Sequence, residues 1–187
     1  MYGLVNNAVE ELVCSRFGED KWLLIKEKAG VETEVFISSQ CYSDEITYKL
    51  VEAATEVLQL PVETVLGAFG EHWVLRTARA SYGSLLSAGG KTLPEFLKNL
   101  PHFHTRVALI FPELRPPSFK LKEVGPGHAR LLYISHRRGL ESFVIGLLHG
   151  LGKLFETPVV VTHVSGVAGE SSPVEFLIEW TPAPSSS

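Results

Sequence analysis

The chain has 187 residues, a formal net charge of −4 and a hydrophobic fraction of 45%. This is the composition of a soluble globular protein, and its length suits one domain or two lobes that share a core. No basic run or stripe is present, so nucleic acid and anionic membrane surfaces have little support as partners. No signal peptide is evident, and the longest apolar run falls far short of the ~20 residues that span a bilayer. We therefore expect a cytoplasmic protein.

The cysteines and the motif content favour a protein without catalytic activity. Cys14 and Cys41 belong to no metal or redox motif, so we interpret them as small hydrophobic residues in a reducing compartment. The chain has no Ser/His/Asp ordering, no phosphate-binding glycine loop and no Cys/His metal spacing. An enzyme is thus the class of protein that the sequence favours least.

Apolar residues at helical spacing predict five helices in the first part of the chain. Ser43 and Thr92 are expected to cap the third and the fifth, Gly30 to end the second, and Pro61 to begin the fourth. The predicted helices cover residues 2–17, 19–29, 44–58, 61–79 and 93–109.

The second part of the chain has the pattern of a sheet. Strands are predicted on each side of a glycine-rich turn at 125–127, one helix follows, and two more strands flank a Gly/Ser-rich turn. The ranges are strands 118–124, 128–137, 158–166 and 173–180, and the helix 139–155. Helices followed by antiparallel strands with one inserted helix indicate an α+β fold with a four-stranded antiparallel sheet. Residues 183–187 are expected to form a disordered tail.

The fifth helix places one histidine in an apolar row. His102 belongs to the opposite, polar face and is expected at the surface. Taken alone, a histidine in such a row is more often a core residue bonded to a carbonyl group than a ligand. The apolar stripe consists of Leu93, Leu97, Leu100, His104, Val107 and Phe111.

A row of polar residues lies within the second predicted strand. Because side chains alternate along a strand, Tyr133, Ser135 and Arg137 project from one face. Two hydroxyls and a guanidinium in line can bind a pair of carboxylates, the arginine as a fork. Taken alone, the same pattern also fits the solvated face of a half-buried sheet.

Together, His104 and the Tyr133-x-Ser135-x-Arg137 triplet resemble the heme nitric oxide/oxygen-binding (H-NOX) family, which includes the heme domain of soluble guanylate cyclase. The resemblance runs from Met1 to about Trp180 and looks closest to stand-alone cyanobacterial members. Further matching stretches are Tyr2–Asn6, Tyr42–Asp44, Phe69–Glu71, Leu114–Pro117 and Gly146–Leu151.

The resemblance implies one domain over residues 1–182, with a helical distal lobe at about 1–60 and a heme-binding lobe at 61–182. Heme b would lie buried between the lobes. His104 would be its proximal ligand, and Pro117 would press on the porphyrin and bend it. The heme propionates would be held by Tyr133, Ser135 and Arg137, with Leu97 and Leu100 also in the heme-binding set.

The resemblance also implies the composition of the distal pocket. Phe143 stands where oxygen-binding members have a donating tyrosine, with its neighbour Ser142 as the alternative if the alignment shifts by one residue. Trp73 and Val9 replace the two supporting polar positions, and Val5 and Leu147 would line the same pocket. Without a donor such a pocket favours NO and CO over oxygen, unless the Trp73 indole N–H points inward.

The implied function is that of a gas sensor. NO would weaken the bond to His104, and the freed helix would signal to a separate protein, a histidine kinase or a cyclic-nucleotide enzyme. Two other readings stay open: a gas carrier or scavenger without a partner, and a heme-free interaction domain. His104 and Arg137 disfavour the latter, because packing requires neither residue.

Overall fold

The computed structural model describes residues 1–166 and 173–182 of the chain. Most of the predicted Gly/Ser-rich turn and the predicted tail at 183–187 lie outside these residues. The helices are α1 Gly3–Phe17, α2 Glu19–Ala29, α3 Asp44–Leu58, α4 Val62–His72, a π-helical stretch Trp73–Ala78, α5 Arg79–Gly89, α6 Leu93–Ile110 and α7 Glu141–Leu154. The strands are β1 Ser118–Val124, β2 His128–Ile134, β3 Val159–Ser165 and β4 Val174–Trp180.

The predicted fold class is confirmed, and so are three predicted helix ends. The Ser43 hydroxyl accepts from the backbone N–H of Glu45, and the Thr92 hydroxyl accepts from that of Glu95. Gly30 ends α2 in the left-handed conformation, which glycine adopts without a steric penalty. Within the described residues no helix has both the length and the apolar character that a membrane crossing requires.

The prediction of a single fourth helix to residue 79 was wrong. The α-helix ends at His72, and a π-helical stretch links it to α5, which the sequence analysis missed. Helix α5 is rich in serine and glycine, which are weak helix formers, and its backbone departs from helical geometry at Tyr82. Packing against α6 stabilises it instead, since Gly89 lies directly against the ring of Phe96.

Strand β2 ends at Ile134, three residues earlier than predicted. The Ser135 hydroxyl accepts from the backbone N–H of Arg137, and this local turn replaces pairing with a neighbouring strand. The side chains still alternate after the strand ends. Tyr133 is buried and Arg137 half-buried, whereas His136 between them is exposed.

The sheet has the strand order β1-β2-β4-β3, with every neighbouring pair antiparallel. One hydrophobic cluster joins its inner face to α6 and α7, and a second joins α1, α2, α3 and α4. This second cluster extends to Phe69, so the division between the two cores runs through α4 and not at residue 60.

Helices α4 and α7 cross at backbone contact, and this crossing connects the two clusters. A Cβ atom on Gly70 would overlap the carbonyl oxygen of Phe143, and one on Gly146 would overlap the carbonyl of Gly67. Any larger residue at these positions would push the helices apart. The crossing therefore fixes how the first four helices stand against the sheet.

Candidate functional site

A cavity of about 610 Å³ lies between the two hydrophobic clusters. Its volume falls in the range of small-molecule and cofactor sites, and its walls come from helices, the end of β2 and the segment before β1. The structure brings nine of the predicted site residues to this cavity: Val5, Trp73, His104, Pro117, Tyr133, Ser135, Arg137, Phe143 and Leu147.

Three predicted site residues are not among those that line this cavity. Val9 lines a separate apolar cavity of about 80 Å³ inside the cluster formed by α1, α2, α3 and α4. Leu97 and Leu100 are buried in the cluster that joins α6 and α7 to the sheet, since their positions on α6 face the sheet. Phe143 itself lines the main cavity, so the one-residue shift to Ser142 is not needed.

His104 presents a neutral imidazole at the cavity wall. Its Nδ1 lies 3.2 Å from the Leu100 carbonyl oxygen, which can only accept, so the ring proton is assigned to Nδ1. Burial lowers the pKa of His104, and the bond to Leu100 opposes this only in part. The remaining nitrogen, Nε2, therefore keeps an unprotonated lone pair at neutral pH.

Aromatic rings hold this imidazole in place. Phe119 on β1 packs on it with ring centres 5.3 Å apart, and Phe103 meets it edge-on at 5.6 Å. Tyr133 continues the row, 5.3 Å beyond Phe119. Burial raises the pKa of the Tyr133 phenol, and a hydrogen bond to Ser135 opposes this shift. The phenol therefore stays protonated and can donate.

Arg137 connects the polar side of the cavity to α3. Its Nε donates to Asp44 Oδ2 at 2.7 Å, and its Nη1 donates to the Arg115 carbonyl at 2.9 Å. The N-terminal ammonium of Met1 lies 2.6 Å from Asp44 Oδ1. Burial alone would raise the pKa of Asp44, but Arg137 and the ammonium outweigh it and hold that pKa below its ordinary value.

Sequence analysis did not find Asp44 as a site residue. It appeared only as the last residue of the matching stretch Tyr42–Asp44, and its place in the first turn of α3 is accounted for by the helix dipole. Its pairing with Arg137, three residues after the end of β2, is a tertiary contact that no local sequence pattern predicts. Tyr48, one turn later, also crosses between the two parts, because its hydroxyl donates to the Arg138 carbonyl at 3.1 Å.

The part of the wall formed by α1, α4 and α7 is built from aromatic and aliphatic side chains, whereas α3 adds the hydroxyl groups of Thr47, Tyr48 and Thr55. Phe69 lies 5.0 Å from Phe143 and 6.2 Å from Trp73, measured between ring centres. Val5 and Leu147 complete this side of the cavity. Phe69 was predicted only as part of a matching stretch, and the helical pattern alone would have placed it in the core.

The two walls together define the class of protein. An apolar cavity with one neutral imidazole, whose Nε2 lone pair is free, suits a flat apolar cofactor with a metal centre. The nearby guanidinium and hydroxyls suit the carboxylates of such a cofactor. The chain matches over residues 2–163 the family model described as haem-NO-binding. It therefore belongs to this family, whose H-NOX domains bind heme and are sensor domains without catalytic activity of their own.

Similarity to individual proteins agrees with the family. Soluble guanylate cyclase gcy-31 of Caenorhabditis elegans is 29% identical over 162 residues, 86% of this chain, but the match spans only 23% of the cyclase. An H-NOX protein from S. oneidensis, solved in the Fe(II)NO state, has a TM-score of 0.85 at 20% identity, over 97% of this chain and 99% of its own.

A second similar structure was solved with a different gas bound. An oxygen-binding H-NOX domain related to soluble guanylate cyclases, solved as its oxygen complex, has a TM-score of 0.80 at 20% identity. The match covers 97% of this chain and 96% of that one. At such low identity these structures show the common fold, and the choice of gas has to be argued from the residues of this chain.

Proposed function

We propose that this protein is a gas sensor that holds heme b through His104 and binds NO and CO at the ferrous iron. The observation that carries the proposal is the neutral imidazole at the wall of a 610 Å³ apolar cavity. Its Nδ1–H donates to the Leu100 carbonyl oxygen, which leaves Nε2 as the atom that would bind the iron. Heme bound there would supply an iron with one open position for a diatomic gas.

The heme propionates would be held by Tyr133, Ser135 and Arg137. A guanidinium has five N–H donors, and three donor contacts of Arg137 go to Asp44 and to the Arg115 carbonyl. Arg137 can therefore donate to a propionate and keep its bonds to Asp44. Pro117, which also lines the cavity, would press on the porphyrin.

The composition of the opposite wall supports selectivity for NO and CO. Bound oxygen carries partial negative charge and gains from an N–H or O–H donor, whereas NO and CO depend on one much less. Val5, Phe69, Phe143 and Leu147 offer no such donor. We propose that the Trp73 indole does not take this role, so that the protein excludes oxygen.

The signal would begin with the release of His104. If NO weakened the bond between His104 and the iron, this side chain would no longer tie α6 to the cavity, and a separate effector would sense the change. We propose a histidine kinase or a cyclic-nucleotide enzyme in the cytoplasm as that effector. A soluble guanylate cyclase is an example of a relative in which the matching region is joined to more chain.

Replacement of His104 by glycine tests this proposal. The reduced His104→Gly protein should lose heme during purification, and free imidazole should restore both the heme and the spectrum of the native ferrous protein. His102→Gly is the matched control, because His102 lies on the same helix with its side chain exposed. Full heme retention by His104→Gly without imidazole would show that another group holds the iron.

Coupling to the effector is tested in the same protein. With imidazole as a detached ligand, NO can still bind, but nothing pulls on α6. The effector should then respond to NO with the native protein and not with His104→Gly. An unchanged response would support a different route for the signal. A gas carrier would give no response in either case.

A further inference from the structure

The helix that carries His104 is unevenly packed along its length. From Pro101 to Ile110 no residue is fully buried, and Leu109 has 79% of its surface exposed. Core packing therefore fixes the first half of α6 more firmly than its second half, where Phe103 and His104 are only partly buried against neighbouring rings. The buried residues of α6 are Leu93, Phe96, Leu97 and Leu100.

A proline stands where the packing changes. Pro101 lies inside α6 and has no N–H, so it cannot donate the backbone hydrogen bond that the Leu97 carbonyl would otherwise accept. Its ring also crowds that carbonyl. Because kinks in helices occur most often at such prolines, this junction is the weakest point of α6.

Two side chains bond back across the junction. His104 Nδ1 lies 3.2 Å from the Leu100 carbonyl oxygen, and the Thr105 hydroxyl donates to the Pro101 carbonyl at 3.1 Å. Hydroxyl bonds of this kind bend helices, because they compete with the backbone bond to the same carbonyl. His104 thus lies in the first turn after the junction, on the less restrained side.

The far end of α6 meets two other parts of the protein. Phe111, which directly follows the helix, packs edge-on against Tyr2 at 4.7 Å and against Tyr82 at 5.8 Å between ring centres. Tyr82 is the residue at which α5 departs from helical geometry. A movement of the second half of α6 would therefore reach both the start of the chain and α5.

We propose that Pro101 is a positioning residue that divides α6 into an anchored segment, residues 93–100, and a lever, residues 102–110, which carries His104. The inference rests on the proposed function, since it describes what moves when His104 is released. Motion of the lever leaves Leu97 and Leu100 in their core positions. Motion of the lever displaces Phe111, which packs between Tyr2 and Tyr82.

Hydrogen exchange of the reduced, heme-loaded protein tests the division. Addition of NO should speed the exchange of amides 102–110 by about fivefold or more, the factor that corresponds to losing roughly one net hydrogen bond. Amides 93–100 should stay unchanged. Equal acceleration in both segments, or none in the lever of a protein whose NO complex has lost the histidine, would overturn the proposal.

Pro101→Ala is the informative variant, and Pro94→Ala is its matched control. Pro94 lies in the first turn of the same helix, where a missing N–H costs nothing. Alanine at 101 restores the bond to the Leu97 carbonyl, so exchange at 102–105 should slow by about fivefold. The stiffer helix should also raise the ratio of six- to five-coordinate NO complex by about the same factor.

Electron paramagnetic resonance of the NO complex gives this ratio, because the hyperfine pattern reports whether the histidine is bound. A purely structural role of Pro101 would alter thermal stability and leave the ratio as it is. Native values of both ratio and exchange in Pro101→Ala would overturn the proposal, as would equal changes in Pro94→Ala.

Failure of the proposed function would look different. If the protein retained no heme, or if NO left its spectrum unchanged, the sensor proposal would fail. The lever would then be tested in the heme-free protein, by the same exchange measurement without NO. There, amides 102–110 should exchange faster than 93–100, and Pro101→Ala should reduce the difference. Equal exchange of the two segments would refute the division of α6.

Discussion

The two walls of the cavity differ in chemistry. The wall formed by α6, β1 and the end of β2 presents an imidazole, a phenol and a guanidinium, at His104, Tyr133 and Arg137. The wall formed by α1, α4 and α7 presents aliphatic and aromatic side chains, with Phe69 and Phe143 in contact. The first wall thus has the polar groups that a heme cofactor would require, and we propose that the second wall selects the gas that can approach it.

The two walls also differ in how many substitutions each of them would tolerate. Holding a metal and two carboxylates needs particular polar atoms, so few substitutions are tolerated on the first wall. Excluding oxygen needs only the absence of a donor, so many apolar residues would serve on the second. Changes that add function should therefore lie on the second wall, and changes that remove it on the first.

The largest effect is expected from Phe143→Tyr, which gives the apolar wall a donor. A hydroxyl directed at bound oxygen should raise the oxygen affinity of the ferrous protein by about 10- to 100-fold, the range for a hydrogen bond to a charged group. Oxygen titration followed by absorption measures this change. Leu147→Met, which alters the same wall without a donor, is the control and should leave the affinity within about twofold.

The next largest effect, a weaker hold on heme, is expected from Arg137→Ala on the polar wall. Removal of the guanidinium leaves Asp44 with only the Met1 ammonium as its ionic partner. On the proposed function it would also leave one heme propionate without its donor. Transfer of heme to apomyoglobin should become about tenfold faster, as for the loss of one charge-assisted bond. Arg79→Ala removes the same charge from an exposed position that does not line the cavity and should change the rate far less. Equal rates for the two variants would contradict the assigned role.

A smaller effect concerns the pH dependence of the heme-free protein. Burial lowers the pKa of His104 in the folded state, so the unfolded chain binds the proton more readily. Stability is therefore complete above the ordinary histidine value of 6.5 and falls as the pH drops toward the lowered folded pKa. Urea midpoints between pH 7.5 and about 5 should fall in the native protein. His104→Gln should flatten this part of the profile, and an unchanged slope would mean that His104 is not buried in neutral form.

The smallest effect is expected from Trp73→Phe. Trp73 lies at the start of the π-helical stretch and is the one residue of the apolar wall with an N–H that could reach a ligand. If the wall lacks a functional donor, loss of the indole N–H should change oxygen and CO affinity by less than about twofold. A selective fall in oxygen affinity would show that Trp73 donates, and the two walls would then differ less than we propose.

The sequence could predict the polar wall because its residues follow local patterns. His104 stands in a helical stripe, and Tyr133, Ser135 and Arg137 alternate along one segment. The early end of β2 did not move them, because the side chains continue to alternate through the turn. The resemblance to the H-NOX family then joined two patterns that were ambiguous when taken separately.

The rest depended on tertiary contacts. The pairing of Asp44 with Arg137 joins positions far apart in sequence, and no periodicity signals it. Helix α5 was missed because its stability comes from contact with α6 and not from helix propensity. Val9 was assigned to the pocket by alignment, but α1 directs it into the cluster of the first four helices, where it lines a different cavity.

Absorption spectra of the reduced native protein, recorded alone, with CO, with NO and in air, test the central claim most directly. The account predicts a five-coordinate ferrous heme, complexes with CO and NO, an NO complex without the His104 bond, and no stable complex in air. A protein that binds no heme, or that forms a stable oxygen complex, would contradict it.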